Sequence, residues 1–456
     1  MRKGMESQQF FGTEKISRIL LKLAPPVMLA SLIQALYNIV DSLFIGRYAE
    51  TGLTALSIIY PVQLLMIALA VGTGVGINTR MSSLRGKGKP ENADETARIA
   101  APLELLLWFL FAAICLFGMP AFARMSTESE EVIRDIIVYG RITGICSIGL
   151  FLESGWTKVL QADGNMKTPM TAQIIGALVN IALDPLLIFG NGPFPELGIA
   201  GAAIATVIGQ ISAALVVMKK GLRKSPPFHK YKEITKEVFR LGFPNMLMQT
   251  AYTYYILGLN LILATFSDQA VTTLGLYYKW QTFFFIPLGA MQTCIVPIIS
   301  YNYSAGNLER CKRTLRDSVI FGLILMSLGT LCFVLIPEQM LRVFSNDELV
   351  IRIGRIGFRW IGISFIPMVT SLIFPVFFQA TGFGGRSSFL TIIRTVFCFV
   401  PLGWLFSRLG LDWFWVTFPL TETITTIIGL CFYKSFLKHP YSIAQTSNLQ
   451  TNLRKQ

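Results

Sequence analysis

The sequence predicts an all-α integral membrane protein, with twelve transmembrane helices in two six-helix lobes, and three observations carry that prediction. The 456 residues are 53% hydrophobic and only 14% charged, with a mean hydropathy of +0.55, far above an ordinary soluble domain. About a dozen apolar runs of 18 or more residues recur along the chain, each long enough to cross roughly 30 Å of hydrocarbon at 1.5 Å per helical residue. The Lys and Arg that raise the formal charge to +14 sit in short loops between these runs, the asymmetry of cytoplasmic loops rather than of a nucleic-acid binder. A soluble enzyme is excluded. The runs are continuous Leu, Ile, Ala and Phe, without the ten-residue alternation of an outer-membrane barrel.

Taken in order, the apolar runs place helices near 18–46, 53–79, 98–120, 132–158, 168–190 and 197–218, then near 238–264, 272–299, 315–336, 350–378, 387–407 and 412–436. The first six form a lobe over 18–218 and the last six a lobe over 238–436. Between them, 219–237 reads as a basic linker with Pro226 and Pro227, held in the cytosol by its charge. Residues 1–17 are polar, with none of the three-part pattern of a cleaved leader, so helix one is expected to stay. With an even number of spans, the N-terminus (1–17) and the tail (437–456) share the cytoplasmic side, together with Arg80, Arg85, Lys87, Lys89, Arg310, Lys312, Arg313 and Arg316. Seven scattered cysteines imply neither a disulfide nor a metal framework. The two histidines, His229 and His439, lie in polar segments, and no catalytic motif accompanies them.

Sliding the chain against itself by 218 residues brings Pro26 onto Pro244, Ser82 onto Ser300, Gly88 onto Gly306, Glu91 onto Glu309 and Arg98 onto Arg316. The same offset sets Gln161-Ala162-Asp163-Gly164 on Gln379-Ala380-Thr381-Gly382. Six helices per copy give both copies one orientation, so the repeats are parallel, about a pseudo-two-fold axis along the membrane normal. Two such lobes suit a carrier in which bundles rock about a site between them, and a receptor or channel has less need of them.

Polar side chains inside the spans mark the candidate site. Ser31, Gln34, Asn38 and Asp41 form a stripe on one face of helix one, and Gln173, Asn180 and Asp184 do the same on helix five. A carboxylate inside a membrane is costly and reads as functional. Counted from the outer ends of their helices, Asp41 and Asp184 lie roughly 8–9 Å deep, with Thr206 and Tyr139 at about 10–12 Å. This oxygen-rich group suits Na⁺, and the two carboxylates could instead share a proton. The offset counterparts of Asp41, Tyr139, Asn180, Asp184 and Thr206 are Leu259, Gly357, Cys398, Leu402 and Ile424. Ion chemistry is therefore expected in the first lobe alone.

The second lobe carries Lys279, Arg394 and Glu422. Lys279 is expected to snorkel, and a depth difference of roughly 10 Å makes a direct Arg394–Glu422 pair marginal. Glu104 reads as interfacial and Glu153 as a cavity acid. Tyr37, Tyr252, Tyr255, Tyr277 and Tyr278, with Met248 and Met291, read mostly as packing, with some of them able to stack flat or cationic molecules.

The run Asn180-Ile-Ala-Leu-Asp184-Pro185 and the segment from Leu197 to Thr206 resemble those of MATE multidrug and toxin extrusion transporters. Val40-Asp41-Ser42, Gly46-Arg47, Gly242-Phe243-Pro244 and the segment Ser300 to Asn307 are similar in the same way, over roughly 15–436. The resemblance implies twelve helices in two lobes and efflux of lipophilic organic cations driven by inward H⁺ or Na⁺, with no cofactor. Asp41, Tyr139, Asn180, Asp184 and Thr206 match the family's cation site, and Gln34 and Tyr37 match cavity-lining positions. Asn38, Glu153, Gln173, Tyr252 and Met291 are further expected cavity residues, with Glu422 and Arg394 as second-lobe candidates. The chain looks nearest to the DinF-like branch, but the acid that other branches carry on helix seven is missing. A monomer in the plasma (inner) membrane is expected, contacting drugs and lipid but no nucleic acid. A lipid-linked saccharide flippase is the alternative within the superfamily.

Overall fold

A computed structural model describes residues 10–190, 193–224 and 231–440; His229, Pro226 and Pro227 fall outside the described residues, as does the chain beyond Pro440. Every regular element among the described residues is helical. The spans are α1 (Ile16–Tyr48), α2 (Glu50–Gly86), α3 (Pro90–Ser126), α4 (Glu130–Ile145 with Ile148–Ala162), α5 (Lys167–Ile188) and α6 (Ile199–Gly221). The second set is α7 (Tyr231–Ala264), α8 (Asp268–Phe284 with Ile286–Ser304), α9 (Leu308–Leu335), α10 (Glu348–Ala380), α11 (Gly384–Ser407) and α12 (Leu411–Lys438). Among the described residues, nine of these are apolar enough to cross a membrane singly, and α4 and α8 qualify as bent pairs. The remaining span, α7, is as long as the others but carries Asn245, Gln249, Thr250, Tyr252, Thr253, Tyr254 and Tyr255 through its middle.

Most helices outrun their apolar stretches, because a helix keeps its backbone bonded in water as well as in lipid. The helix of α7 thus starts inside the segment expected to be linker, where Ile234 and Val238 bury one face while Lys232 and Lys236 stay in solvent. The 218-residue offset carries the ends of α2 onto Asp268 and Ser304, and the ends of α4 onto Glu348 and Ala380. Four helices end in the same cap. Gly88, Gly164, Gly306 and Gly382 all have positive φ, between 69° and 83°. The amide after each glycine bonds the carbonyl five residues back, as Lys89 does to Leu84 at 2.9 Å and Asn307 to Asn302 at 2.8 Å. Lipid-facing stripes repeat too, with Leu106, Leu110 and Phe117 exposed on α3 and Ile324, Leu328 and Leu335 on α9.

The bends do not repeat. In α4 the break is 42°, at Cys146-Ser147, where the Ser147 hydroxyl donates to the Gly144 carbonyl at 2.7 Å; its counterpart α10 is continuous. In α8 the break is 51°, at Phe285, where Pro287 withholds an amide from the next turn; its counterpart α2 carries Leu69 there and runs through.

The lobes exchange parts at the end that carries the linker. Phe11, Ile16, Ile19, Leu20 and Leu23 pack into the second lobe's core, while Ile234 and Val238 of α7 pack into the first. At that end, α2 lies backbone to backbone against α7 and α8, and a Cβ at Gly76 or Gly86 would collide with the carbonyl of Val238 or Tyr301. Arg80 Nε donates to Glu237 Oε2 at 2.6 Å, and the Ser83 and Ser304 hydroxyls meet at 2.7 Å. The linker-side end is closed by this seam.

Candidate functional site

The first-lobe site is built where α1 and α5 lie side by side and α6 crosses behind them. Helical spacing turns Asn180 and Asp184 to one face of α5, and both are buried, as is Asp41 of α1. Asn180 Nδ2 donates to Asp184 Oδ1 at 3.3 Å and to Thr206 Oγ1 at 3.5 Å. That leaves Asp41 Oδ1, Asp184 Oδ2 and Asn180 Oδ1 buried with no hydrogen-bond partner. Each of these unsatisfied acceptors is buried in low dielectric, where a proton or a hard cation would satisfy it. The carboxylates are near enough to act on each other electrostatically. Among the described residues no group of three His, Cys, Asp or Glu is placed to hold a metal ion, so a bound cation would draw amide and hydroxyl oxygens into its shell.

A pocket of about 110 Å³ opens beside these groups, lined by Gln34, Tyr37, Glu153, Gln173, Asn180 and Thr206 among others. The expected cation-site and cavity residues of the first lobe therefore meet, with one exception. Asn38 is exposed and does not line the pocket. Glu153 accepts a bond from Thr157 Oγ1 at 2.7 Å. Tyr139 is buried and accepts from Gln63 Nε2 at 3.4 Å.

Sequence reasoning missed Gln63 and Gln210, the latter on the pocket wall with its carbonyl oxygen unpartnered. Gln63 had a signal, since its offset partner Gln281 is also glutamine. Glu104 is a correction: it is fully buried, with neither oxygen hydrogen-bonded. α3 starts at Pro90, earlier than its apolar run, so Glu104 lies about 21 Å along it at 1.5 Å per residue. Gly155 of α4 leaves the space that the side chain fills.

In the second lobe, a pocket of about 220 Å³ is lined by Gln249, Tyr252, Gln281, Gln292, Ser371 and Arg394, with Met248 and Phe285 supplying apolar wall. Met291 is a correction, because it is buried in the lobe core and faces neither pocket. The marginal Arg394–Glu422 contact is another: Arg394 Nη2 donates to Glu422 Oε1 at 2.6 Å, and Nε donates to both oxygens at 3.0–3.1 Å. The depth count assumed straight α-helices, whereas residues Ile393–Phe399 form a π-helical segment, and the long arginine side chain spans the rest. Ser371 donates to the same carboxylate. Lys279 is exposed, its ammonium 5.1 Å from the centre of the Phe344 ring.

The comparisons with known proteins agree with this architecture. The MatE family model matches residues 26–186 and again 244–405, two copies that begin at the Pro26/Pro244 pair. Among curated proteins, the chain is 25% identical over 432 residues to the FAD transporter of Shewanella oneidensis, covering 92% of this chain and 94% of that one. It is 23% identical over 440 residues to the multidrug export protein MepA of Staphylococcus saprophyticus, covering 93% and 96%. A solved structure of a multidrug resistance MATE family transporter in its outward-facing conformation superposes with a TM-score of 0.87 at 21% identity, over 94% of this chain and 97% of that one. With two matched copies spanning most of its length, the chain belongs to the MATE family of membrane transporters.

Proposed function

We propose that this protein exports lipophilic, mostly cationic organic compounds across the plasma membrane by alternating access, in exchange for inward H⁺ or Na⁺. The observation that carries this reading is the set of three buried, unpartnered oxygens on Asp41, Asp184 and Asn180, beside a pocket that an organic cation can share. A coupling ion bound there satisfies all three, and the cationic group of a drug reaching into the adjoining pocket competes for the same negative charge. Ion and drug then occupy the site in turn, which is the linkage that exchange requires. Thr206 and Tyr139 supply further oxygens, Asn180 orients Asp184, and Gln34, Tyr37, Glu153 and Gln173 line the drug's side. One charge crossing 100 mV is worth about 2.3 kcal/mol, nearly fifty-fold in gradient, so one ion per cycle drives useful efflux. The closed seam around Gly76 and Gly86 is the cytoplasmic gate, with the termini and linker on the same side, and a monomer is sufficient.

The test is efflux of a cationic dye from proteoliposomes with pH and Na⁺ gradients imposed separately. Uphill dye movement under one of them is expected, and dye that only equilibrates under both would overturn exchange. Orientation is read with a cysteine introduced at exposed Lys89 in a background from which the native cysteines, exposed Cys146 and Cys431 included, are removed, because native Cys311 is buried and cannot report; labelling from outside sealed cells would reverse the assignment.

A further inference from the structure

The two pockets occupy repeat-equivalent positions. The 218-residue offset pairs Gln34 with Tyr252, Glu153 with Ser371, Gln173 with Thr391 and Gly176 with Arg394, and all eight residues line their respective pockets. Between the copies an acid has become a hydroxyl and a glycine has become an arginine. The chemistry of the wall is inverted while its place in the fold is kept.

The second pocket's uncommitted donors sit on Arg394, Gln281 and Gln249, while the back-bonded hydroxyls of Thr282, Thr391 and Thr395 offer only lone pairs. Glu422, the carboxylate behind this wall, is occupied by Arg394 Nε and Nη2 and by Ser371. Arg394 Nη1 makes no hydrogen bond among the described residues, and the Gln281 amide, whose oxygen accepts from the Tyr252 hydroxyl at 3.5 Å, keeps a second N–H beyond the one turned to the Tyr255 hydroxyl. Both side chains are more than nine-tenths buried, 7% exposed, and both line the cavity. Gln249 adds a second amide. Thr391 and Thr395 direct their hydroxyl hydrogens back to their own helix, and Gln292 spends its amide on Leu372. Around these donors, Met248, Phe285, Leu372 and Pro375 form flat apolar walls. At about 220 Å³ the cavity holds part of a molecule rather than a whole drug-sized ligand, which needs ~300–1,000 Å³.

We propose that this second-lobe pocket binds the anionic, acceptor-bearing end of an aromatic compound, typically a carboxylate attached to a planar ring. The carboxylate bridges Arg394 Nη1 and the Gln281 amide, with charge-assisted bonds to buried donors, while the ring lies between Tyr252 and Phe285. The second lobe then offers an anion contact, whereas the first lobe's carboxylates attract a cation. This rests on the proposed function only for transport. Binding itself stands or falls separately.

The experiment uses the full chain in phosphatidylcholine nanodiscs and three fluorescent probes of one shape: 9-anthracenecarboxylate, 9-anthracenemethanol and 9-(aminomethyl)anthracene. The carboxylate is expected to bind at least tenfold more tightly than the alcohol. Gln249→Glu is expected to weaken the carboxylate about tenfold, while Asp41→Asn leaves it unchanged and weakens the amine. Equal binding of carboxylate and alcohol by the parent protein would overturn the proposal, without needing any variant to fold. So would displacement of the carboxylate in Asp41→Asn, which would place it in the first lobe. If the probes bind as expected but no gradient drives dye efflux, the exchange reading fails and the pocket's specificity stands.

Discussion

The first lobe buries its apolar side chains in three separate clusters, whereas the second buries them in one continuous core dominated by phenylalanine and tyrosine. In the second lobe, Phe333 lies 4.8 Å from Phe358 and 4.9 Å from Phe365, centroid to centroid, and Tyr255 stacks on Phe399 at 4.7 Å. Where the second lobe has Leu259 inside this core and a half-buried Leu402, the first has Asp41 and Asp184 with unpartnered oxygens. One frame of helices has thus been filled in two ways. A duplicated backbone can be held rigid in one copy by close-packed rings while the other copy gives up core continuity and buries polar groups in its place.

The linker-side caps draw the same contrast on a smaller scale. Arg85 of α2 pairs with Asp163 and donates to the Ala162 carbonyl at 2.8 Å, tying two turns together by charge. Its offset partner Tyr303 ties the equivalent turns by ring contacts with Phe383 and Phe436 and by donating to the Pro440 carbonyl at 2.5 Å.

If ion chemistry belongs to the first lobe alone, Asp41→Asn/Asp184→Asn is expected to bring gradient-driven dye efflux down to the leak of protein-free liposomes, with normal membrane insertion. Robust uphill efflux in that double variant would erase the difference between the lobes. If the second lobe's charges serve the core, Arg394→Met alone is expected to cost about 3–5 kcal/mol by stranding a buried carboxylate. Adding Glu422→Leu should restore most of it, and a double-mutant cycle on thermal unfolding that shows simple additivity would refute the pairing.

The seam between the lobes gives a middling effect. Gly76→Ala pushes a methyl group into the α7 backbone and is expected to cost about 1–3 kcal/mol, together with new solvent access at the linker end. Labelling of a cysteine placed at Ser304 would reveal that access, and unchanged protection would mean that the seam tolerates the extra carbon. The smallest effect is expected at Glu104, where Glu104→Met removes two unpartnered oxygens at similar volume and should gain roughly 1 kcal/mol. A marked loss of stability there would mean that this acid has a partner and that the first lobe is more tightly knit than its divided core suggests.

The spans, the two lobes and the repeat were legible in the sequence, because lipid forces every backbone group into a helix and makes each crossing an apolar run that can be counted. Asp41 and Asp184 stood out for the same reason, since a charge in such a run is costly, and helical spacing sets Asn180 on the same face as Asp184. What only the tertiary structure decided depends on how helices bend and meet. The offset predicts equal helix ends but not that α4 and α8 bend while α10 and α2 do not. Neither could depth counting pair Arg394 with Glu422, because the π segment alters the rise, or bury Glu104, because an apolar run marks where lipid begins and a helix continues past it. The inverted pocket shows the same division. Its residues could be aligned by number, but only the packing of α7, α8, α10 and α11 brings Gln249, Gln281, Ser371 and Arg394 to one cavity, because a side chain's partners across helices are set by crossing geometry that no periodicity within one helix records.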